Sequence, residues 1–439
     1  MSRIALWRQQ IAGRLGWAVA DQAVSSLENF LLGVFVANVL GAEGLGALGL
    51  AFVAYSIALS CSRALATDAL MIRFSGTAGD VWRTAASAAT GVALLTGTAI
   101  GVICVGLGLI LKAAEPGSEA GIAFLAIGIA MPALTLQDSW RCAFFAAERG
   151  ARAFLVDVVW TVLFLSLLMV VHLTGNTSLM LVLIGFGATA LVAAVAGMIY
   201  ARTVPRVHAA RSWLRAHRDL GTRFLVENVV MGAGGQIRAP VVAAAVGLAA
   251  VGAIRAAEML IGPVAALLMG ISQVSVPEAA RALRKGSGPL LRLCLGISAG
   301  LASVAFAWGL VVIVIFPFGI GSMLLDGVWP DAHRLVLGVM VSSAFGCLQI
   351  GPSAGLRALG RADRTMRCQL VVSALFILLG TVGAVTGGAL GAVWGTAIAS
   401  AVGSAIWWWQ FLRARREYFE AAGELIRPGK HFKTTGAAA

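Results

Sequence analysis

Charge is what this chain has least of. Asp, Glu, Lys and Arg make up 12% of its 439 residues, against 59% for the hydrophobic types. A soluble domain carries about 25% charged and about 45–50% apolar residues, so there is too little charge here to cover a water-facing surface. Other absences narrow the function. The six cysteines, Cys61, Cys104, Cys142, Cys294, Cys347 and Cys368, lie in apolar stretches without CxxC spacing, which argues against a disulfide framework or a thiolate metal site. The five histidines, His172, His208, His217, His333 and His431, lack metal-ligand spacing. No Walker A sequence is present, so the chain has no ATP-driven motor of its own. Gly44, Gly46 and Gly49 do spell G-x-G-x-x-G, but no strand precedes them, and they fall in a turn between two apolar segments. Arg3, Arg8 and Arg14 are not followed by a short apolar core with a cleavage site. Asp21 and Glu28 interrupt it, so the first helix is expected to be retained rather than cleaved. No cofactor, metal or catalytic activity is expected.

What is present is a series of long apolar runs. Residues 84–111 and 368–412 contain no acid or base at all. About 20 apolar residues span a bilayer as a helix, so the first run holds one span. The second holds two, divided at the GGALG of 387–391. The runs do not alternate in polarity, which excludes barrel strands. Spans are predicted near 14–39, 45–70, 84–111, 120–146, 152–172, 178–201, 220–245, 250–275, 290–317, 332–357, 366–386 and 391–412. The fold class is all-α integral membrane, with about twelve transmembrane helices.

Alternate loops carry the basic residues: Arg73 and Arg83, Arg149 and Arg152, Arg202 to Arg218, Arg281 to Lys285, and Arg361 to Arg367. The positive-inside rule puts these loops and both termini in the cytoplasm. The formal charge of +13 thus reflects membrane topology. Nucleic acid is not expected as a partner, because no basic soluble domain or aromatic platform accompanies the charge. Trp407, Trp408 and Trp409, followed by Arg413, Arg415 and Arg416, read as an interfacial anchor. In the basic stretch 202–218, Arg211, Arg215 and Arg218 recur at helical spacing, which predicts a short amphipathic helix on the anionic inner leaflet.

The chain repeats. A shift of 206 residues lays LGAEGLGALG (40–49) on VGLAAVGAIR (246–255), pairing Gly41 with Gly247 and Gly46 with Gly252. It also carries Asp21 onto Glu227 and Gln22 onto Asn228. Two six-span halves in one orientation are parallel repeats about an axis along the membrane normal. The expected organisation is an N-terminal six-helix bundle (1–201), a basic cytoplasmic linker (202–219), a C-terminal six-helix bundle (220–412) and a cytoplasmic tail (413–439).

Ionisable groups inside spans are the informative residues, since each costs about 2.5–3.5 kcal/mol at the bilayer centre on insertion scales. Asp21 and Glu28 form a stripe on the first helix, with Gln22 and Asn29 beside it. The seventh helix holds Glu227, Asn228, Gln236 and Arg238, the fourth Gln137, Asp138 and Arg141, and the eighth Arg255 and Glu258. Arg63 lies toward the inner end of the second. Asp138 with Arg141, and Arg255 with Glu258, are three apart and could be local ion pairs. The set as a whole is expected to line a polar cavity between the halves. Asp157 and Arg357, near inner ends, are expected to snorkel.

The stretches DQAVSSLENFLLGVFVANVLGAEGLGALGLA (21–51) and LQDSWRCAFFAAERGARA (136–153) resemble the multidrug/oligosaccharidyl-lipid/polysaccharide (MOP) exporter superfamily. Within it the chain looks most like Wzx-type polysaccharide and lipid-linked oligosaccharide flippases, kin to lipid II flippases. That resemblance implies two six-helix bundles around a central cavity, working by alternating access in the bacterial cytoplasmic membrane. It implies a polyprenyl-phosphate-linked glycolipid as substrate, with membrane lipids and cell-envelope glycosyltransferases as partners. Arg63, Arg141, Arg238 and Arg255 are then candidates for holding the carrier's phosphate. Asp21, Glu28, Asn29, Asp138, Glu227, Asn228 and Glu258 are candidates for binding a coupling H+ or Na+ or for contacting sugar hydroxyls. The alternatives are a cation-coupled multidrug antiporter of the same superfamily, a membrane glycosyltransferase or polymerase, and a scaffold that transports nothing.

Overall fold

The computed structural model describes residues 3–77 and 79–426; among them, the side chains of 3–15, 18–19, 223, 226–236, 266, 269–270, 272–274, 362 and 421–426 lie outside the description. All regular structure in the described residues is helical. Among the described residues, nine stretches are long and apolar enough to cross a membrane. Two of these fold back on themselves at glycine, which gives eleven legs, and Arg218–Val246 supplies the twelfth. In chain order they are α1 (3–40), α2 (42–73), α3 (Gly79–Ala114), α4 (Glu119–Ala146), α5 (Gly150–Thr174) and α6 (Leu179–Ala201). Then follow α7 (Arg218–Val246), α8 (Leu248–Arg284), α9 (Ser287–Val314), α10 (Trp329–Leu348, running on through Ile350–Ala358), α11 (362–386) and α12 (389–426).

The repeat is visible in the backbone. Gly41, between α1 and α2, has φ 66 and ψ −163; Gly247, between α7 and α8, has φ 97 and ψ 170. Both are conformations that residues with a Cβ avoid. The pairing extends to Gly46 and Gly252. A Cβ on Gly46 would be driven into the Leu248 carbonyl oxygen, and one on Gly252 into that of Ala42. Leu248 and Ala42 are themselves related by the same shift, so α2 and α8 touch backbone to backbone across a pseudo-twofold axis. This contact lies at the end of the molecule opposite the termini. One hydrophobic core runs through it, from Leu32 and Leu48 in the first half to Ile254 and Val393 in the second. A smaller core, with Leu290, Cys294, Leu356, Trp407 and Phe411, closes the terminal end of the second half.

Several details differ from the sequence reading. The last helix does not end at 412 but continues to Ile426, well into the expected tail. Of the three consecutive tryptophans only Trp409 faces outward, with Arg413 lying 5.8 Å from its ring centroid. Trp407 is buried, and Trp408 donates to the Leu348 carbonyl at 3.1 Å. Successive positions on a helix point about 100° apart, so three in a row cannot all face one interface. The five buried cysteines and half-buried Cys61 are all free thiols.

The linker is docked on the protein through one face, with Arg211 and Arg215 exposed on the other. Its helix, Ala210–Ala216, is only seven residues long, and Trp213 is buried, stacked on Phe74 at the end of α2 with centroids 5.8 Å apart. Arg73 donates to the Ala216 carbonyl at 2.9 Å, to His217 Nδ1 at 2.8 Å and to Asp219 at 2.6 Å. The apolar stack and the ion pair together tie the end of the first half to the start of the second. Burial and the Arg73 cation hold His217 below its ordinary value of 6.5, against the opposing pull of Asp219. The folded state therefore keeps His217 neutral, and the unfolded chain takes up its proton at higher pH. Stability from this contact is complete above pH 6.5 and is lost as pH falls through the depressed folded value. Acidification from pH 7.5 to 5 should lower the melting temperature less in His217→Gln than in the parent. Equal pH slopes for the two proteins would rule the histidine out.

Candidate functional site

The buried charge gathers in two places. In the first half, α1 supplies Asp21, Ser25 and Glu28, which recur on one helical face. α4 supplies Gln137, Asp138 and Arg141, α5 supplies Asp157 and Thr161, and α2 supplies Arg63. Arg63 opens a π-helical turn, Arg63–Thr67, in which the Asp68 N–H bonds to the Arg63 carbonyl. Such turns locally widen a helix and re-aim a side chain. The Arg63 guanidinium reaches Asp138 through two parallel bonds, Nε to Oδ2 at 2.9 Å and Nη2 to Oδ1 at 2.6 Å. Arg141 lies among three acids: Asp157 at 3.4 Å, Asp21 at 3.5 Å and Asp138 at 4.0 Å. Asp157 also accepts from Gln137 at 2.6 Å and Ser25 at 3.1 Å, and Glu28 from Thr161 at 2.8 Å.

Among the described residues the cluster is short of cations. Four carboxyls, of Asp21, Glu28, Asp138 and Asp157, are each 3% exposed or less, and two guanidiniums face them. Asp21 Oδ1 and Glu28 Oε1 are buried with no hydrogen-bond partner. Two unbalanced carboxylates in a dry helix bundle are prohibitive. The geometry calls for protons or a small cation to accompany them. Among the described residues, no group of three or more His, Cys, Asp or Glu is placed to hold a metal ion on its own.

The second site lies where the halves meet. Arg238 of α7 donates through Nη2 to Glu258 of α8. Arg255, one turn before Glu258, points across to α2, its guanidinium carbon 4.9 Å from the Phe52 ring centroid. Gly49 leaves room for its stem, since a Cβ there would lie 3.4 Å from Arg255 Cδ. Arg255 Nε is buried with no hydrogen-bond partner, and among the described residues no carboxylate lies within ion-pair distance of Arg255. A cavity of about 160 Å³ opens here, lined by Gly49, Val53, Arg238, Val251, Arg255 and Glu258. Phe52 and Tyr55, edge to face with centroids 5.8 Å apart, stand between this site and the acidic cluster.

The sequence-level candidates are thus divided. Asp21, Glu28, Asp138, Arg63 and Arg141 come together around the first bundle, the four others largely buried and the Arg63 side chain 37% exposed. Arg238, Arg255 and Glu258 come together at the interface. Asn29 joins neither; its side chain donates to the Ser25 carbonyl at 2.8 Å on an exposed face. Glu227 and Asn228 lie outside the described side chains. The i,i+3 ion pairs are not the ones that dominate, because Asp138 is taken by Arg63 and Glu258 by Arg238. Asp157 does not snorkel: it is 1% exposed and at the centre of the cluster. Ser25, Asp157 and Thr161 went unrecognised, although Asp157 and Thr161 are four apart on one face and Ser25 lies on the Asp21–Glu28 stripe.

No family model and no curated protein matches the sequence. Solved structures do match in fold. A multidrug-resistance MATE family transporter of the MOP superfamily, in an inward-facing conformation, is similar at 15% identity and TM-score 0.64, covering 94% of this chain and 100% of that one. The lipid II flippase MurJ, in an inward closed conformation, is similar at 13% identity and TM-score 0.65, covering 94% and 93%. A MOP superfamily transporter from Pyrococcus furiosus is similar at 14% identity and TM-score 0.57, covering 94% and 96%. The chain has the fold of these membrane transporters.

Proposed function

We propose that this protein is a flippase that carries a polyprenyl-phosphate-linked sugar or oligosaccharide from the inner to the outer leaflet of the bacterial cytoplasmic membrane, for cell-envelope polysaccharide synthesis. The observation that carries the reading is Arg255, a guanidinium held at the junction of the halves with no carboxylate among the described residues within ion-pair distance. Its planar fork matches phosphate oxygens, and in a site screened from water that match is worth far more than at a surface. Arg238 stands beside it, lent to Glu258 and available to a stronger anion. Arg63 and Arg141 are committed to carboxylates and position the first bundle rather than the headgroup. The fold shared with a flippase named for lipid II is in keeping with a lipid-linked substrate. The halves rock against each other, the headgroup crosses in the cavity, and the polyprenyl tail stays in lipid. The arginine-rich loops and both termini lie in the cytoplasm, where glycosyltransferases deliver the substrate.

Proteoliposomes containing the purified protein test this directly. A polyprenyl-phosphate-linked sugar loaded in one leaflet should become accessible to a membrane-impermeant reagent in the other, faster than in protein-free vesicles. Equal rates would end the proposal.

A second reading, a cation-coupled antiporter for drug-like molecules, is favoured by the two surplus carboxyls of the first bundle and by the MATE transporters of the same fold. Both readings use that cluster alike, as the place where a coupling H+ or Na+ binds. Asp21→Asn and Glu28→Gln should each remove the dependence of transport on an imposed proton or sodium gradient while leaving glycolipid binding intact. Unchanged gradient dependence in both variants would make the cluster purely structural. Gradient-driven export of cationic dyes without movement of the glycolipid would decide for the antiporter.

A further inference from the structure

Beyond the Arg238–Glu258 ion pair lies a second chamber, of about 290 Å³, inside the C-terminal bundle between α8, α10 and α12. Arg238 and Glu258 line both this chamber and the interface cavity, so the pair is a partition between them. Apart from the pair itself, its lining carries no formal charge. The polar groups are the hydroxyls of Ser342, Ser343 and Thr396, set among aliphatic walls such as Val264 and Val339. Ser342 and Ser400 hydroxyls are bonded to each other at 3.0 Å, which orients one edge of that polar rim. Glu258 retains acceptor capacity, with its side chain 39% exposed despite its bond to Arg238.

We infer that this chamber is the recognition pocket for a single neutral sugar ring, the residue joined directly to the carrier phosphate. The inference rests on the flippase reading and deepens it. A pyranose offers hydroxyls around its rim and an apolar C–H face, which is the pattern of this lining. Small-ligand sites run to roughly 300–1,000 Å³, so the chamber takes one ring and no more. With the phosphate on Arg255 and Arg238 in the interface cavity, the adjoining sugar is placed at the partition. Arg238 then turns from Glu258 to the phosphate, and the freed Glu258 carboxylate accepts hydrogen bonds from the sugar. A longer oligosaccharide has to extend back into the space between the halves. Selectivity is accordingly set by the first sugar and is indifferent to those beyond it.

Gly346 provides a clean test, because a Cβ built on it meets nothing within 4 Å and the chamber lies beyond it. Gly346→Leu fills the space without disturbing a packed neighbour, and Ser343→Leu fills it from the next turn. Binding of two probes is measured on the full chain in lipid nanodiscs: polyprenyl phosphate, and polyprenyl phosphate bearing one neutral hexose. Each variant should bind the sugar-bearing lipid at least tenfold more weakly than the parent and bind polyprenyl phosphate within twofold of it. If both probes bind the variants as they bind the parent, or both weaken equally, the chamber is not a sugar pocket and the flippase reading is untouched. If the parent binds neither probe, the flippase reading fails and takes the sugar pocket with it.

Discussion

Replacing Arg255 with alanine should weaken binding of polyprenyl phosphate about tenfold to a hundredfold and reduce flipping to background, with the protein still folded. The size follows from the loss of a charge-assisted hydrogen bond, about 1.5–3 kcal/mol, at about 1.4 kcal/mol per decade of affinity. Folding should survive because Arg255 has no carboxylate partner among the described residues to leave stranded. Breaking an internal pair such as Arg63 with Asp138 would strand a buried charge and destabilise the protein instead. Arg255→Lys should recover only part of the affinity, since a lysine is a point charge without the fork. Wild-type binding and transport by the alanine variant would remove the phosphate site.

The second large effect is expected at the far end of the molecule. Gly46→Leu or Gly252→Leu cannot be absorbed by a side-chain rotation, because the obstructing atoms are backbone carbonyls of Leu248 and Ala42. The two helices must part there, which opens the end opposite the termini and holds it open. In a chain whose native cysteines are replaced, a reporter at Val251, 4% exposed in the parent, should be labelled at least tenfold faster from that side. Transport should stop, since a carrier that cannot close one end cannot alternate. Gly262→Leu is the control: it lies on the same helix, and a Cβ there meets nothing within 4 Å. Equal labelling of Val251 with and without the Gly46 substitution would show that the glycine contact is no gate.

Much of the architecture is legible in the sequence, for reasons specific to membranes. Lipid forces helices of a minimum length, so long apolar runs count them. The 206-residue repeat was readable because Gly41 and Gly247 must adopt a backbone that other residues avoid. The site was legible only as a set of suspects. Periodicity places Asp21 and Glu28 on one face, but not whether that face turns inward to α4 and α5 or outward to the other half. The i,i+3 spacing of Asp138 and Arg141 invited a local pair, whereas Arg63, 75 positions away, made the better one through two parallel bonds. Asp157 looked peripheral by its distance along the chain from a loop. Contacts with Ser25 of α1 and with Gln137 and Arg141 of α4 put it at the centre. The chamber behind Arg238 had no sequence signal, because single serines and threonines in apolar helices are common and usually bond to their own backbone.

The unequal division of buried charge has an electrical consequence. Among the described residues, the first-bundle cluster holds four carboxyls to two guanidiniums and the interface site two guanidiniums to one carboxyl, so on the proposed function the two sites take ions of opposite sign. A membrane potential negative inside does work of about 2.3 kcal/mol per elementary charge per 100 mV. In the proposed cycle it would drive a coupling cation inward by way of the first-bundle cluster and an anionic headgroup outward through the cavity between the halves, and the two contributions would add. A cycle built this way draws on the resting voltage even when no chemical gradient of the coupling ion exists.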